Sequence, residues 1–323
     1  MDWTGSLQRR VATDETVRPK DIQPIVDVVS GASIGVFDGI GAEGRPDRDL
    51  LPPHTPVHVA ALSGRTPSDM IDACRTLRAE GFEPVPDIVP RAFAGTAALL
   101  AHLDRLCRAA GIREVVLIGP PPGNARGGSG DGTPEQELLR TRLLDGFGIA
   151  TVGIAAHPSL QSANDPGALN RAVDEFNRRA LRADVHLYYL TRPATDLRTL
   201  FAWEAALRRA GNRLPVHVGI AGPADPCALP ALERLCGFAP VSDGRKVEPA
   251  DPMLRTALTA PNRHVAALAR HRQRHPQSGL RRIHLVARDG LRGPALWLDA
   301  MLRGAVSLSP EGEDFTVDFH TAA

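Results

Sequence analysis

The residues able to do chemistry are few, and they sit at or just after short apolar runs. Asp38 follows Ser33-Ile34-Gly35-Val36-Phe37 and can act as an acid or base, although Asp-Gly is also an ordinary turn. Asp87 lies within Pro84 to Val89, with Arg91 just beyond. A carboxylate inside a strand needs a partner, so Asp87 either pairs with a base such as Arg91 or contacts a ligand. His157 ends Ala155-Ala156-His157-Pro158 and can titrate near neutrality, bond a ligand or merely cap the strand. His186, Tyr188 and Tyr189 share one run, and Arg192 follows with a guanidinium suited to an anionic group. Alternation turns His186 and Tyr188 to one face and Tyr189 to the other. One tyrosine ring can therefore face a site while the other packs under a helix. His217 and His284 lie in two later runs. No Ser-His-Asp order, HExxH motif or close carboxylate pair stands out. Cys74, Cys107, Cys227 and Cys236 form no CxxC pair. They read as reduced thiols of a cytoplasmic protein, with no metal site.

The elements that must position these groups alternate short strands with longer helices. Val57 to Ala61 reads as a strand, and Thr66-Pro67-Ser68-Asp69 starts a helix with a cap, a first-turn proline and an acid at the positive dipole end. Strands follow at Pro84–Val89, Glu114–Ile118, Thr151–Ala155, Val185–Tyr189, Val216–Gly219 and Arg282–Val286. Helices are expected over Thr96–Ala110, Thr133–Phe147, Gly167–Arg182, Thr195–Ala210, Cys227–Cys236, His264–His271 and Leu291–Arg303. With Ala32–Phe37 as the first strand, eight strand–helix units fit a (β/α)8 TIM barrel of the α/β class over residues 1–305. The rival, a doubly wound sheet, lacks the GxGxxG expected after an early strand. Residues 306–323 form a tail whose alternating Asp314–Phe319 run could make an edge strand or pack on a neighbour. In such barrels chemistry sits at the C-terminal ends of the strands, where the residues above fall.

Composition narrows the function classes. The 323-residue chain is 43% hydrophobic, enough for a buried core, and its net charge of +1 argues against a polyanion binder. Aromatic residues make up only 4%, leaving few rings for base stacking, so no nucleic-acid partner is expected. Met1 to Lys20 has no apolar signal core, and no run is long enough to span a bilayer, so no membrane association is expected.

The strand exits, taken in order, resemble a known family. PVHVAALSGRT, LRAEGFEPVPDIVPR, GIREVVLIGPPP, GIATVGIAAHPS, RADVHLYYLT and LPVHVGIAGPA together resemble methylenetetrahydrofolate reductase, in its divergent bacterial branch, over roughly Ser33 to Arg303. The resemblance implies a (β/α)8 barrel that binds FAD, takes hydride from NAD(P)H and reduces a tetrahydrofolate derivative. It also implies an oligomer. Departures accompany it. Gly35 falls where the family carries its proton-donating glutamate, Pro120 where it carries an aspartate near the flavin, and Asp87 where it carries a histidine. His157-Pro158-Ser159-Leu160-Gln161 replaces Tyr-Pro-Glu-x-His, and Tyr189 aligns with the ligand-contacting glutamine. Arg178 matches the basic residue that meets the flavin phosphates, and Arg91 matches the arginine of the related branch. The expectation is a reductase-like protein of folate-linked one-carbon chemistry without the standard flavin and glutamate mechanism. Asp38, Asp87, His157 and Tyr189 would be its catalytic groups. Arg91, His186, Tyr188 and Arg192 would hold a folate-like or anionic small molecule. The alternative is a non-catalytic barrel that serves as a subunit or binding module.

Overall fold

The computed structural model describes residues 19–36, 50–61, 66–119, 138, 144–156, 158, 166–182, 185–193, 196–223, 261–287 and 290–318. Eight short strands run parallel: β1 (Ser33–Val36), β2 (Pro56–Val59), β3 (Glu83–Ile88), β4 (Glu114–Leu117), β5 (Thr151–Ala156), β6 (His186–Thr191), β7 (Val216–Ala221) and β8 (Leu280–Ala287). Each pairs with its neighbours in chain order, and β8 closes on β1 with Ser33 opposite His284 and Gly35 opposite Val286. The described helices are α1 (Pro19–Val29), α2 (Pro67–Ala79), α3 (Thr96–Ala110), α4 (Pro166–Arg182), α5 (Leu197–Arg209), α6 (Asn262–Arg274) and α7 (Arg292–Leu302). The fold is the (β/α)8 TIM barrel expected from the sequence. The expected helix at Cys227–Cys236 lies outside the described residues. Of the helix expected over Thr133–Phe147, Leu138 and the 3-10 turn Asp145–Phe147 are described.

Local chemistry sets the helix ends. Thr66 Oγ1 accepts from the Asp69 backbone N–H while the Asp69 carboxylate accepts from the Thr66 N–H, a capping box that starts α2. Asp196 caps α5 by accepting from the Arg198 N–H at 2.9 Å. Gly111, at φ 59, ends α3 in the left-handed conformation that glycine adopts without a Cβ penalty. Helix α1 has no counterpart in the sequence reading. Pro24 interrupts its helical pattern, yet Ile25, Val28 and Val29 fall on one buried face against the rest of the core.

Most of the core lies between sheet and helices. Outward residues such as Ile34, Val57, Val152, Val216 and Leu285 pack with helix residues that include Leu77, Leu103, Leu106, Trp203 and Leu207. Glu204 is the charged exception on α5. Its carboxylate accepts from the Gly279 N–H at 2.8 Å and pairs with Arg208, so its burial is compensated. Cys74 is buried and Cys107 half-buried, and burial pushes their thiols up to about 12 and about 11. Both act as small core residues.

The tail folds onto its own barrel. Strands β9 (Val306–Leu308) and β10 (Phe315–Val317) pair antiparallel, and Phe315 is buried. The Asn262 amide donates to the Phe315 carbonyl at 2.8 Å, and Trp297 Nε1 donates to Asn262 Oδ1 at 3.0 Å. Among the described residues no helix is long and apolar enough to cross a membrane.

Candidate functional site in the barrel lumen

Strand alternation decides which side chains enter the lumen. Because Ile34, Val57, Ile88, Val152, Tyr189, Val216 and Leu285 pack into the outer core, their neighbours Ser33, Gly35, His58, Asp87, Gly153, Tyr188, His217 and His284 face inward. In (β/α)8 barrels such positions are dominated by branched apolar residues. Here an apolar cluster of Val85, Val116, Tyr188 and Leu190, with Ile118 against it, forms only part of the filling. The rest is polar.

Two linked groups make up that polar filling. Ser33 Oγ and His284 Nδ1 are hydrogen-bonded at 2.9 Å, and the His284 ring lies 4.3 Å from the ring of His58. The Tyr188 ring stacks on His217 with centroids 4.0 Å apart, and its hydroxyl donates to Glu114 Oε1 at 2.6 Å. Glycines make room for both groups. A Cβ on Gly35 would stand 2.7 Å from His284 Nε2, and one on Gly153 would stand 2.7 Å from the Tyr188 ring and hydroxyl. The imidazole of His284 thus occupies the space that a side chain at residue 35 would need.

Burial sets the charge states. It holds His58 well below the usual imidazole range, with the neighbouring His284 and His217 adding to the effect. It takes His284 down to about 4, and burial together with Arg282 takes His217 down to about 3. All three rings are neutral at neutral pH. Burial also raises Glu114, an effect opposed by the Tyr188 hydrogen bond and by Arg282. Tyr188 is raised well above its usual range by burial and the adjacent Glu114. Asp87 stands near the C-terminal end of β3, opposite Val116 of β4. Burial pushes its carboxyl up to about 7, and its Oδ1 is shut from solvent with no hydrogen-bond partner among the described residues. The residue as a whole is half-buried.

The expected site residues are partly brought together. Asp87 and Tyr188 share the lumen. Tyr189 turns outward, with edge contacts to Phe176 of α4 and Trp203 of α5. Tyr188 is thus the inward ring, but it lies in the lumen filling with its hydroxyl committed to Glu114. His186 starts β6 and is exposed at the N-terminal edge, the wrong end of the barrel for a ligand held at the strand exits. Arg91 is exposed on the 3-10 turn Pro90–Ala92 and makes no bond to Asp87, so Arg91 is not the base that pairs with it. Arg192 is exposed just past β6, its N–H bonded to the Ala156 carbonyl. Arg178 lies on the exposed surface of α4, bonded to Glu175 and to the Asp174 carbonyl. Asp38 and His157 lie outside the described residues.

Sequence reading passed over His58, Ser33 and Glu114. The signal for His58 was present: in Pro56-Val57-His58-Val59 the flanking valines take the outer face and leave the histidine inside. Among the described residues no strand of the barrel carries a lysine. Among the described residues no group of three His, Cys, Asp or Glu is arranged to hold a metal ion. At the opposite, N-terminal face, α1, α6 and the start of β8 border an open cavity of about 290 Å³ lined by Asp27, Arg272, His275 and Arg281.

Fold and lumen define a (β/α)8 barrel with an acid and three neutral imidazoles on its axis. No family model matches the chain. Among solved structures it is similar to the tetrameric deoxyribose phosphate aldolase from Aeropyrum pernix, at 13% identity and a TM-score of 0.39, over 68% of this chain and 91% of the aldolase. Similarity at that level carries neither chemistry nor assembly over to this chain.

Proposed function

We propose that this barrel is an enzyme of folate-linked one-carbon chemistry, a divergent relative of methylenetetrahydrofolate reductase, in which Asp87 is the proton-transfer group. The observation that carries the reading is Asp87 itself, a half-buried carboxyl at a strand exit that burial pushes up to about 7 and that has no basic partner among the described residues. A group poised near the working pH can both give and take a proton. The folate part rests on the resemblance in PVHVAALSGRT, VGIAAHP and LPVHVGIAGPA. At β1 the family's glutamate position is Gly35, backed by His284, so the reading moves proton transfer to β3. The exposed Arg91 and Arg192 flank the exits of β3 and β6 and supply positive charge for an anionic part of the substrate.

FAD and NAD(P)H are what the family implies, and the residue matched to the flavin phosphates does not fit them. Arg178 lies about 18 Å along α4 from its first residue at 1.5 Å per residue. That places it toward the N-terminal face, with its guanidinium held by Glu175. The reading therefore routes no step through a flavin. Self-association follows from the family and extends the reading to a homo-oligomer.

Calorimetric titration with tetrahydrofolate, alongside the visible absorption spectrum of freshly purified protein, tests the reading. The expected result is a colourless protein that binds tetrahydrofolate, with a pH dependence that Asp87→Asn removes. Failure to bind any tetrahydrofolate would leave the non-catalytic barrel as the better account. Stoichiometric flavin would restore the standard reductase and contradict the role given to Asp87.

A further inference from the structure

The N-terminal face carries a group of cations that the lumen does not use. Residues 270–282 hold five arginines and two histidines and no acid, in a chain whose 38 basic and 37 acidic side chains nearly balance. Arg270 is committed to the Gly312 carbonyl of the tail, and Arg282 acts on Glu114, Tyr188 and His217 inside the barrel. Arg272, Arg274 and Arg281 are left. Of these, Arg272 and Arg281 line the open cavity of about 290 Å³ bordered by α1, α6 and the start of β8. The Arg272 guanidinium bridges the cavity walls, its Nη1 donating to the Asp27 carbonyl at 3.3 Å and to the Arg281 carbonyl at 3.5 Å. Those bonds are long, and its Nε and Nη2 donate to nothing among the described residues. Arg281 is exposed on the outward face of β8, the face of Ile283 and Leu285. Its guanidinium makes no hydrogen bond or ion pair among the described residues. The dipole of α6 favours bases in its last turn, which accounts for Arg272 but not for Arg281, a strand residue. Asp27 is the acid of the lining, and its Oδ1 accepts from Gln23 Nε2 at 2.8 Å.

Two guanidinia from different elements, around one small cavity, suit an anion that carries acceptor oxygens on more than one side. A phosphate group does so, and a flat carboxylate does not. We propose that this cavity is a binding site for a small hydroxylated phosphate ester, with its phosphate on Arg272 and Arg281 and a hydroxyl turned to Asp27. A phosphate oxygen beside Asp27 would be repelled, whereas a hydroxyl can donate to the carboxylate oxygen that Gln23 leaves open. The volume stands at the low end of the range for small-molecule sites, roughly 300 Å³ upward, and suits a short carbon chain rather than a polymer. The site lies at the opposite end of the barrel from Asp87 and rests neither on the role of that residue nor on the folate reading.

Calorimetric titration of the full chain with glycerol 3-phosphate should show one saturable site, weakened by added salt. Inorganic phosphate should compete for it more weakly, and glycerol should not compete. Arg281→Gln, a change at an exposed residue, should weaken binding about tenfold or more, while Arg281→Lys keeps the charge and should keep part of the affinity. Arg105→Gln removes one charge from the exposed surface of α3 and should leave binding unchanged. In wild-type protein, amide NMR shifts on adding glycerol 3-phosphate should gather at Asp27, Arg272 and Arg281, a readout that does not depend on how any variant folds. Absent or unsaturable binding, equal losses in Arg281→Gln and Arg105→Gln, or shifts confined to the strand exits at Arg91 and Arg192 would each overturn the site. Inorganic phosphate binding as tightly as the ester would overturn the part given to Asp27. Tetrahydrofolate binding without glycerol 3-phosphate binding would remove this inference and leave the reading above. The reverse would remove the folate assignment and leave the site.

Discussion

The two faces of the same strands are built to different rules. Outward, Ile34, Val57, Val152, Val216 and Leu285 meet apolar helix residues, and nearly every position is filled by hydrocarbon. Inward, Ser33, His58, Asp87, Tyr188, His217 and His284 fill the lumen with rings and polar groups, fitted around Gly35 and Gly153. The outer layer holds the barrel closed by burying area, at roughly 25 cal/mol per Å² of apolar surface. The lumen adds less of that term and more desolvation, which is why its titratable groups move so far from their usual ranges. Stability and chemistry are thereby separated by the pleat of one sheet.

The largest effect should come from breaking the outer layer. Trp203→Ala empties a fully buried site between α5 and the sheet and should cost about 3–5 kcal/mol in urea unfolding. The Asp87 titration should survive it wherever the protein remains folded. The next effect sharpens the comparison inside the lumen. Gly35→Ala drives a methyl into His284 and should cost about 1–3 kcal/mol. The double variant Gly35→Ala/His284→Ala should cost less than the sum of the two singles, because the second change removes the clash.

A smaller effect follows from Asp87 and has a defined sign. The unfolded chain ionises this carboxyl near 3.8, and the folded chain near 7. Between those values the folded state keeps a proton that the unfolded state has lost. Stability therefore falls as pH rises across that window and is level above it. Asp87→Asn removes the penalty, so it should raise stability by roughly 1–2 kcal/mol above the window, a figure discounted for the partial exposure of Asp87, and by little below it. Thermal unfolding at the two ends checks this. The smallest effect is expected at Arg91, an exposed residue with no bond to Asp87. Arg91→Ala should stay within about 0.5 kcal/mol of wild type.

The barrel was legible because outward strand residues and inward helix residues carry strong periodic signals. Leu99, Leu103, Leu106 and Ala110 of α3 repeat every three or four residues, and Gly111 stops them. The hidden element was α1, whose Pro24 breaks the pattern that its buried Ile25, Val28 and Val29 complete only in three dimensions. The lumen was legible in its alternation but not in its direction or company. Alternation put Tyr188 and Tyr189 on opposite faces without telling which faced inward, and the ring expected to be catalytic, Tyr189, is the outward one; nor did it show that Tyr188 would bond Glu114, 74 residues away in the chain. Nor could spacing reveal that Gly35 and His284, at opposite ends of the barrel's sequence, share one volume. Contacts that close a barrel have no local sequence signature, and the chemistry here is made of such contacts.

The account depends most on the state of one carboxyl. A carboxyl-carbon NMR titration of the whole protein, with the Asp87 resonance assigned by its loss in Asp87→Asn, measures that state directly. The account predicts a midpoint near 7. A midpoint in the ordinary carboxylate range, near 4, would mean that Asp87 has a partner or free access to water, and would contradict its proton-transfer role.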